Sequence, residues 1–134
     1  MSELELMRFF MAECAVHLPN VRVFRRDIIN ADVQKNGRHF HMRAGIKGQA
    51  DLYAYVDGGR VVELETKAAR GTLADEQKTW RAFCIERRIP HLVLRAKPKE
   101  YPAETVERWI AELRAVVAQT ATNTACKCAL GLPA

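Results

Sequence analysis

Apolar residues recur along the chain with two periods, and these mark out its elements. Over residues 3–17, Leu4, Met7, Met11 and Ala15 repeat at helical spacing, with Phe9 and Phe10 beside them and Ser2 placed as N-cap. Pro19-Asn20 ends that helix. Residues 21–30 are β-rich, with Val21, Val23, Ile28 and Ile29 set among arginines. Asn36-Gly37 is a tight-turn signal and predicts a return strand over 38–44. Residues 50–56 and 60–67 read as strands joined by a hairpin turn at Asp57-Gly58-Gly59. Residues 74–88 read as a helix carrying Trp80, Phe83 and Cys84. Pro90 breaks it, and 91–95 is a short strand. Residues 103–119 form the clearest amphipathic helix, with Val106, Trp109, Ile110, Leu113, Val116 and Val117 in one stripe. From Thr120 the period vanishes, which predicts a mobile tail over 120–134.

This order predicts one mixed α/β domain over 1–119, a central sheet flanked by helices. A length of 134 residues suits one domain and allows a core without disulfide staples. No apolar run approaches the ~18 residues of a membrane span. The opening Met1-Ser2-Glu3-Leu4-Glu5 is acidic where a targeting peptide is basic, so a cytoplasmic location is expected. Cys14 and Cys84 fall in helical patterns and are expected buried and reduced. Cys126-Lys127-Cys128 lacks the further ligands of a zinc site, and an intermolecular disulfide after purification is the stronger reading. Trp80 and Trp109 are expected in the core.

Charge adds a possible partner. The net charge is +5, and Arg22, Arg25, Arg26, Lys35, Arg38, Arg43 and Lys47 crowd one stretch that holds only Asp27 and Asp32 as acids. Such a stretch is either a hairpin edge guarded by charge against aggregation or a surface that contacts phosphates. His39 and His41 share a face if 38–44 is a strand; solvation or phosphate contact is the commoner use of such a pair, metal ligation the rarer.

The chemistry concentrates in Gly48-Gln49-Ala50-Asp51, Glu65-Thr66-Lys67 and Gln77. On a strand over 60–67, Glu63, Glu65 and Lys67 point to one face, and Val62, Leu64 and Thr66 to the other. The Asp57-Gly58-Gly59 turn folds the neighbouring strand back so that Asp51 lies beside Glu65–Lys67. Carboxylates meeting near a lysine suit metal-dependent phosphodiester hydrolysis. Hard oxygen ligands hold Mg²⁺, and an ammonium can orient water, help deprotonate it or stabilise developing charge. A lone Glu-x-Lys carries no weight, since chance supplies about 0.6 such triplets in a chain of this composition. The context lifts it: a strand, a hairpin partner opened by Asp51, and a helix bearing Gln77 just after. Glu63 adds a further carboxylate on that face and is expected to be exposed.

The run GIKGQADLYAYVDGGRVVELETKAARGTLADEQKTWRAFCIERRIPHLVLR resembles the core of the PD-(D/E)xK nuclease superfamily. More narrowly, it is similar to the virus-type replication-repair nuclease (VRR-NUC) family. Shared features are a glycine shortly before the Asp, a Glu-x-Lys strand, a glycine after it (Gly71), a helix Gln, an aromatic position (Trp80 or Phe83) and a short apolar strand. The likeness covers residues 3–96. Ala50 stands where a proline is usual, and Thr66 where an apolar residue is usual.

The resemblance implies a restriction-endonuclease-like core and a set of roles. Asp51 and Glu65 bind Mg²⁺ or Mn²⁺, the Thr66 carbonyl is a third ligand, Lys67 is the catalytic lysine, and Gln77 faces the site. Glu5 is the match for a first-helix carboxylate that joins the catalytic and metal-binding set, with Glu3 its rival. Arg25 matches the strand arginine that contacts phosphate, with Arg26 as close alternative; Arg22, Arg38, Arg43 and Lys47 complete the expected DNA contacts. The implied activity is structure-specific cleavage of branched DNA such as Holliday junctions, by a homodimer, leaving 5′-phosphate and 3′-hydroxyl ends. The apolar stripe over 103–119 serves either that dimer or this chain's own sheet. Two other readings stand beside it: a non-catalytic DNA-binding module, and a restriction-type duplex cutter for which the chain is short.

Overall fold

The computed structural model describes residues 1–27 and 29–129. The elements run α1 (Glu3–His17), β1 (Arg22–Arg25), β2 (Ile29–Lys35), β3 (Arg38–Ala44), β4 (Leu52–Val56), β5 (Arg60–Lys67), α2 (Asp75–Glu86), β6 (His91–Arg95) and α3 (Pro102–Ala129). Four strands form one sheet in the order β1-β4-β5-β6. The first three are antiparallel neighbours, and β6 runs parallel to β5. A parallel neighbour needs a crossover, which α2 supplies. The expected mixed sheet flanked by helices is therefore present.

Period-2 alternation along β5 sends Val62 and Leu64 into the main core with Leu52, Ala54 and Leu94. Helices α1 and α3 cover this face. Phe10 meets Trp109 edge-on, with ring centroids 5.7 Å apart and planes at 82°. The indole N–H of Trp109 donates to the Arg95 carbonyl at 3.2 Å, so the ring is buried without an orphan donor. The α3 stripe is buried in, or packed against, this chain's own core, which removes it as a dimer seam. Cys14 and Cys84 are buried free thiols, as expected. Trp80 departs from expectation: it is half-buried outside the main core, beside Ile46 and Lys47, and stacked on Phe83 with centroids 5.2 Å apart.

The β-rich stretch 21–30 divides between two sheets. Arg22–Arg25 joins the central sheet, whereas Ile29–Lys35 pairs only with Arg38–Ala44. Asn36 (φ 53°) and Gly37 (φ 73°) make the left-handed two-residue turn that the sequence signals. Helix α3 continues to Ala129, so the predicted tail is helical over 120–129. Loss of an apolar period does not end a helix where neither proline nor glycine intervenes. Residues 130–134, and the side chains of Cys126 and Cys128, lie outside the described residues. Among the described residues no helix is long and apolar enough to cross a membrane.

Phe10 has no exposed surface. Phe10→Ala is expected to lower unfolding stability by about 3–5 kcal/mol, measured by urea denaturation.

Candidate active site

Strand β5 supplies the spine. Leu52 stands opposite Leu64 in the β4–β5 ladder, so Asp51, one residue earlier, flanks Glu65. The Asp51 carboxylate accepts from the Thr66 backbone N–H at 3.3 Å and from the Thr66 hydroxyl at 3.1 Å. The polar residue at the middle of Glu-x-Lys thus anchors Asp51. Glu65 is buried, and its Oε1 accepts from the Gln77 amide at 2.7 Å and lies 3.7 Å from the Lys67 ammonium. The other oxygen, Oε2, is buried with no hydrogen-bond donor.

Gln77 is held at both ends. Its carbonyl oxygen accepts the Ala74 N–H at 2.8 Å at the start of α2, and its amide then points at Glu65. Gly48 (φ 90°) lets the preceding loop lie against the helix: a Cβ there would meet the Glu76 carbonyl. The glycine before Asp51 therefore has a packing reason.

Burial, and then the adjacent Asp51 charge, push the Glu65 carboxyl up to about 8, against the opposing pull of Lys67. Two neighbouring carboxylates, one with an oxygen lacking a donor, form an arrangement that a proton or a cation would complete. Among the described residues no three His, Cys, Asp or Glu side chains cluster as a metal cage. Two carboxylates with a backbone carbonyl nearby could hold a hard cation, which takes one or two carboxylates and otherwise water or carbonyl oxygens. Asp51, Glu65 and the Thr66 carbonyl are the donors available here.

Glu63 corrects the sequence reading. It is buried, not exposed, with Arg26 against its carboxylate and Cys84 of α2 close to both. Arg26 neutralises it at 2.8 Å and also donates to the Ala50 carbonyl at 3.1 Å. The Arg26 backbone N–H donates to the Asp51 carbonyl at 2.8 Å. Arg26 is thus a positioning residue for the 50–51 backbone, with its guanidinium committed to the fold and not free for phosphate.

Glu5 also departs from expectation. It is exposed and closes a capping box with Ser2, whose N–H donates to Glu5 Oε2 at 2.7 Å and whose hydroxyl accepts from the Glu5 N–H at 3.2 Å. These bonds hold its carboxyl below the usual range. Glu3 is the α1 carboxylate beside β5: its Oε2 accepts from the Ala68 N–H at 3.3 Å, next to Lys67. Met7, one turn on, lines a cleft with Asp51, Arg25, Arg26 and Asp27. Spacing of four keeps positions 3 and 7 on one helix face and turns position 5 away.

The remaining expected DNA contacts scatter. Arg25 is exposed and lines the Asp51 cleft. Arg22 sits at the far end of β1 and donates to the Pro19 and Val21 carbonyls. Arg38 opens β3 on the separate hairpin. Lys47 pairs with Glu76 at 3.0 Å. The Arg43 side chain lies outside the described residues. His41 pairs with Asp32 at 3.0 Å in solvent. Arg95, which no local sequence pattern singles out, donates to the Gly71 carbonyl and braces the loop after Lys67. Only the parallel pairing of β6 with β5 brings it into register with Lys67.

No family model, no curated protein and no solved structure matches the chain.

The raised Glu65 carboxyl has a stability consequence. Its contribution is present below its ordinary value of 4.5 and is lost as pH rises through about 8. Thermal melting in EDTA is expected to fall over that window. Glu65→Gln flattens the profile and raises Tm by ~3–6 °C at its alkaline end. Separately, Arg26→Ala strands a buried charge and is expected to cost about 3–5 kcal/mol, while replacing Arg26 and Glu63 together with leucine recovers much of it in denaturant titrations.

Proposed function

We propose that the chain is a metal-dependent DNA endonuclease of the PD-(D/E)xK type, nearest to the VRR-NUC family. One observation carries the reading: buried Glu65 beside Asp51, with Gln77 at 2.7 Å, Lys67 at 3.7 Å and one carboxylate oxygen lacking a donor. The mixed sheet flanked by helices is the setting such a core implies, which supports the reading.

Each residue then has work to do on a phosphodiester. A bound Mg²⁺ or Mn²⁺ supplies Lewis-acid polarisation of the phosphate and a lowered water pKa. Asp51 and Glu65, with the Thr66 carbonyl, hold it. Gln77 fixes the rotamer of Glu65, and Thr66 fixes that of Asp51. The Lys67 ammonium, tethered by Glu65, orients the attacking water and offsets negative charge as it develops on phosphate oxygens. Water adds to phosphorus in line, the bond to the 3′ oxygen breaks, and that oxygen takes up a proton. Arg25, at the mouth of the Asp51 cleft, holds a phosphate. Glu3 takes the first-helix role in place of Glu5. The preferred substrate is branched DNA. A homodimer acting in the cytoplasm, with two sites related by a two-fold axis, would match a junction's two symmetric strands.

Labelled four-way junction, flap and linear duplex should be incubated with Mg²⁺, Mn²⁺ or EDTA. Wild type is expected to cut the junction only with metal, and Lys67→Ala to lose at least ~100-fold in rate. Glu65→Ala is expected to bind DNA without cutting it. Cutting by Lys67→Ala at the wild-type rate sinks the lysine assignment. Glu3→Gln is expected to slow cleavage about tenfold or more while Glu5→Gln leaves the rate near wild type; the reverse order returns the role to Glu5.

A further inference from the structure

We propose that the β1–β4 half of the sheet face carrying the candidate site is a stacking platform for unpaired nucleic-acid bases, with Phe24 and Tyr55 as its exposed rings. The proposal rests on the nuclease reading for its occupant and extends that reading to the substrate strand beside the cut.

Register places the rings. Phe24 pairs with Tyr53, and Tyr53 with Glu63, while Tyr55 stands two residues further along β4. All three rings therefore share the face of Glu63 and Glu65. They touch one another, with centroids 5.3 Å (Phe24–Tyr53), 5.2 Å (Phe24–Tyr55) and 5.6 Å (Tyr53–Tyr55) apart. Helix α2 packs toward β6 and leaves this half open. Tyr55 is 54% exposed and Phe24 40% exposed. Three joined aromatic rings on an uncovered sheet face mark an interaction surface.

Charge selects the partner. The Arg26 guanidinium lies 4.7 Å from the Tyr53 ring centroid, and Arg22 stands opposite Tyr55 in register. The bonds of Arg22 go to carbonyls, which leave its charge unneutralised. Glu63, the acid on this face in register with Tyr53, is buried and already neutralised by Arg26. An aromatic face bordered by the uncompensated Arg22, with Arg26 spent on Glu63 and the Tyr53 ring, suits bases with phosphates between them. Asp51 lies two residues before Tyr53, at the entry to β4, so the platform begins ~7 Å along the chain from the carboxylates. A strand stacked on these rings leads its backbone toward Asp51 and Glu65.

Fluorescein-labelled oligothymidylate and an abasic oligomer of equal length, both in EDTA at low salt, separate stacking from charge. Phe24→Leu and Tyr55→Leu keep apolar bulk at exposed positions, and circular dichroism checks their fold. Wild type is expected to prefer the thymidylate, and each variant to bind it ~10-fold more weakly with abasic binding unchanged. Equal wild-type affinity for both probes overturns the proposal, as do variants that bind like wild type. A change from dimer to monomer in sedimentation of the double variant also overturns it, since the face then joins two copies of the chain. Cleavage separates the two claims. Variants that cut linear duplex normally and a flap slowly support both. Wild type that cuts, with variants cutting the flap equally well, sinks the platform alone. Ring-dependent thymidylate binding by a wild type that cuts nothing sinks the nuclease reading alone.

Discussion

A carboxylate removed from water beside another carboxylate is the constraint on which the rest of this site depends. Glu65 sits between the sheet and α2, where its charge is disfavoured by burial and by Asp51. The surroundings offset this only in part. Gln77 gives one hydrogen bond, Lys67 gives a charge at 3.7 Å, and one oxygen is left over. A fold organised for stability alone gains nothing from such a pair, because an apolar replacement packs as well without the desolvation cost. Strongly perturbed carboxyls of this kind cluster at functional sites.

The supporting structure is built from residues with several bonds each. Arg26 joins Glu63, the Ala50 carbonyl and the Tyr53 ring, so one guanidinium ties β1, the approach to β4, and β5. Gln77 serves at once as the cap of α2 and the brace of Glu65. Thr66 exchanges an apolar contact for two bonds to Asp51. Each arrangement fixes a functional side chain through a group that the fold needs anyway, which keeps the geometry narrow.

The hairpin β2–β3 stands apart from this rigid centre as its own two-stranded sheet. Among the described residues, its His41 is paired with Asp32 on the hairpin itself. The arginines after α1 take separate roles: Arg22 bonds only carbonyls, Arg25 lies 3.7 Å from Asp27 beside the Asp51 cleft, and Arg26 is paired with Glu63.

Local chemistry made the elements legible. Periods of two and 3.6, the Asn36-Gly37 turn and Pro90 mark strands and helices by rules that act over a few residues, and the elements fall near where those rules predict, apart from the run of α3 past residue 119 and the division of 21–30 between two sheets. The Asp51, Glu65, Lys67 and Gln77 grouping was legible too, because a strand's alternation and a hairpin's return leave few other ways to place them. Three features required tertiary structure. Glu63 is buried because Arg26 and Cys84, from β1's end and from α2, close on it, and no local pattern says which distant residues meet a strand's face. Glu3 rather than Glu5 reaches β5, because the rotation of α1 is set by Phe10 and Met7 in the core. Arg26 is withdrawn from solvent because its acid lies on a strand far along the chain. Sequence by itself determined which groups exist and which face of their own element they take; packing between elements decided which of them meet.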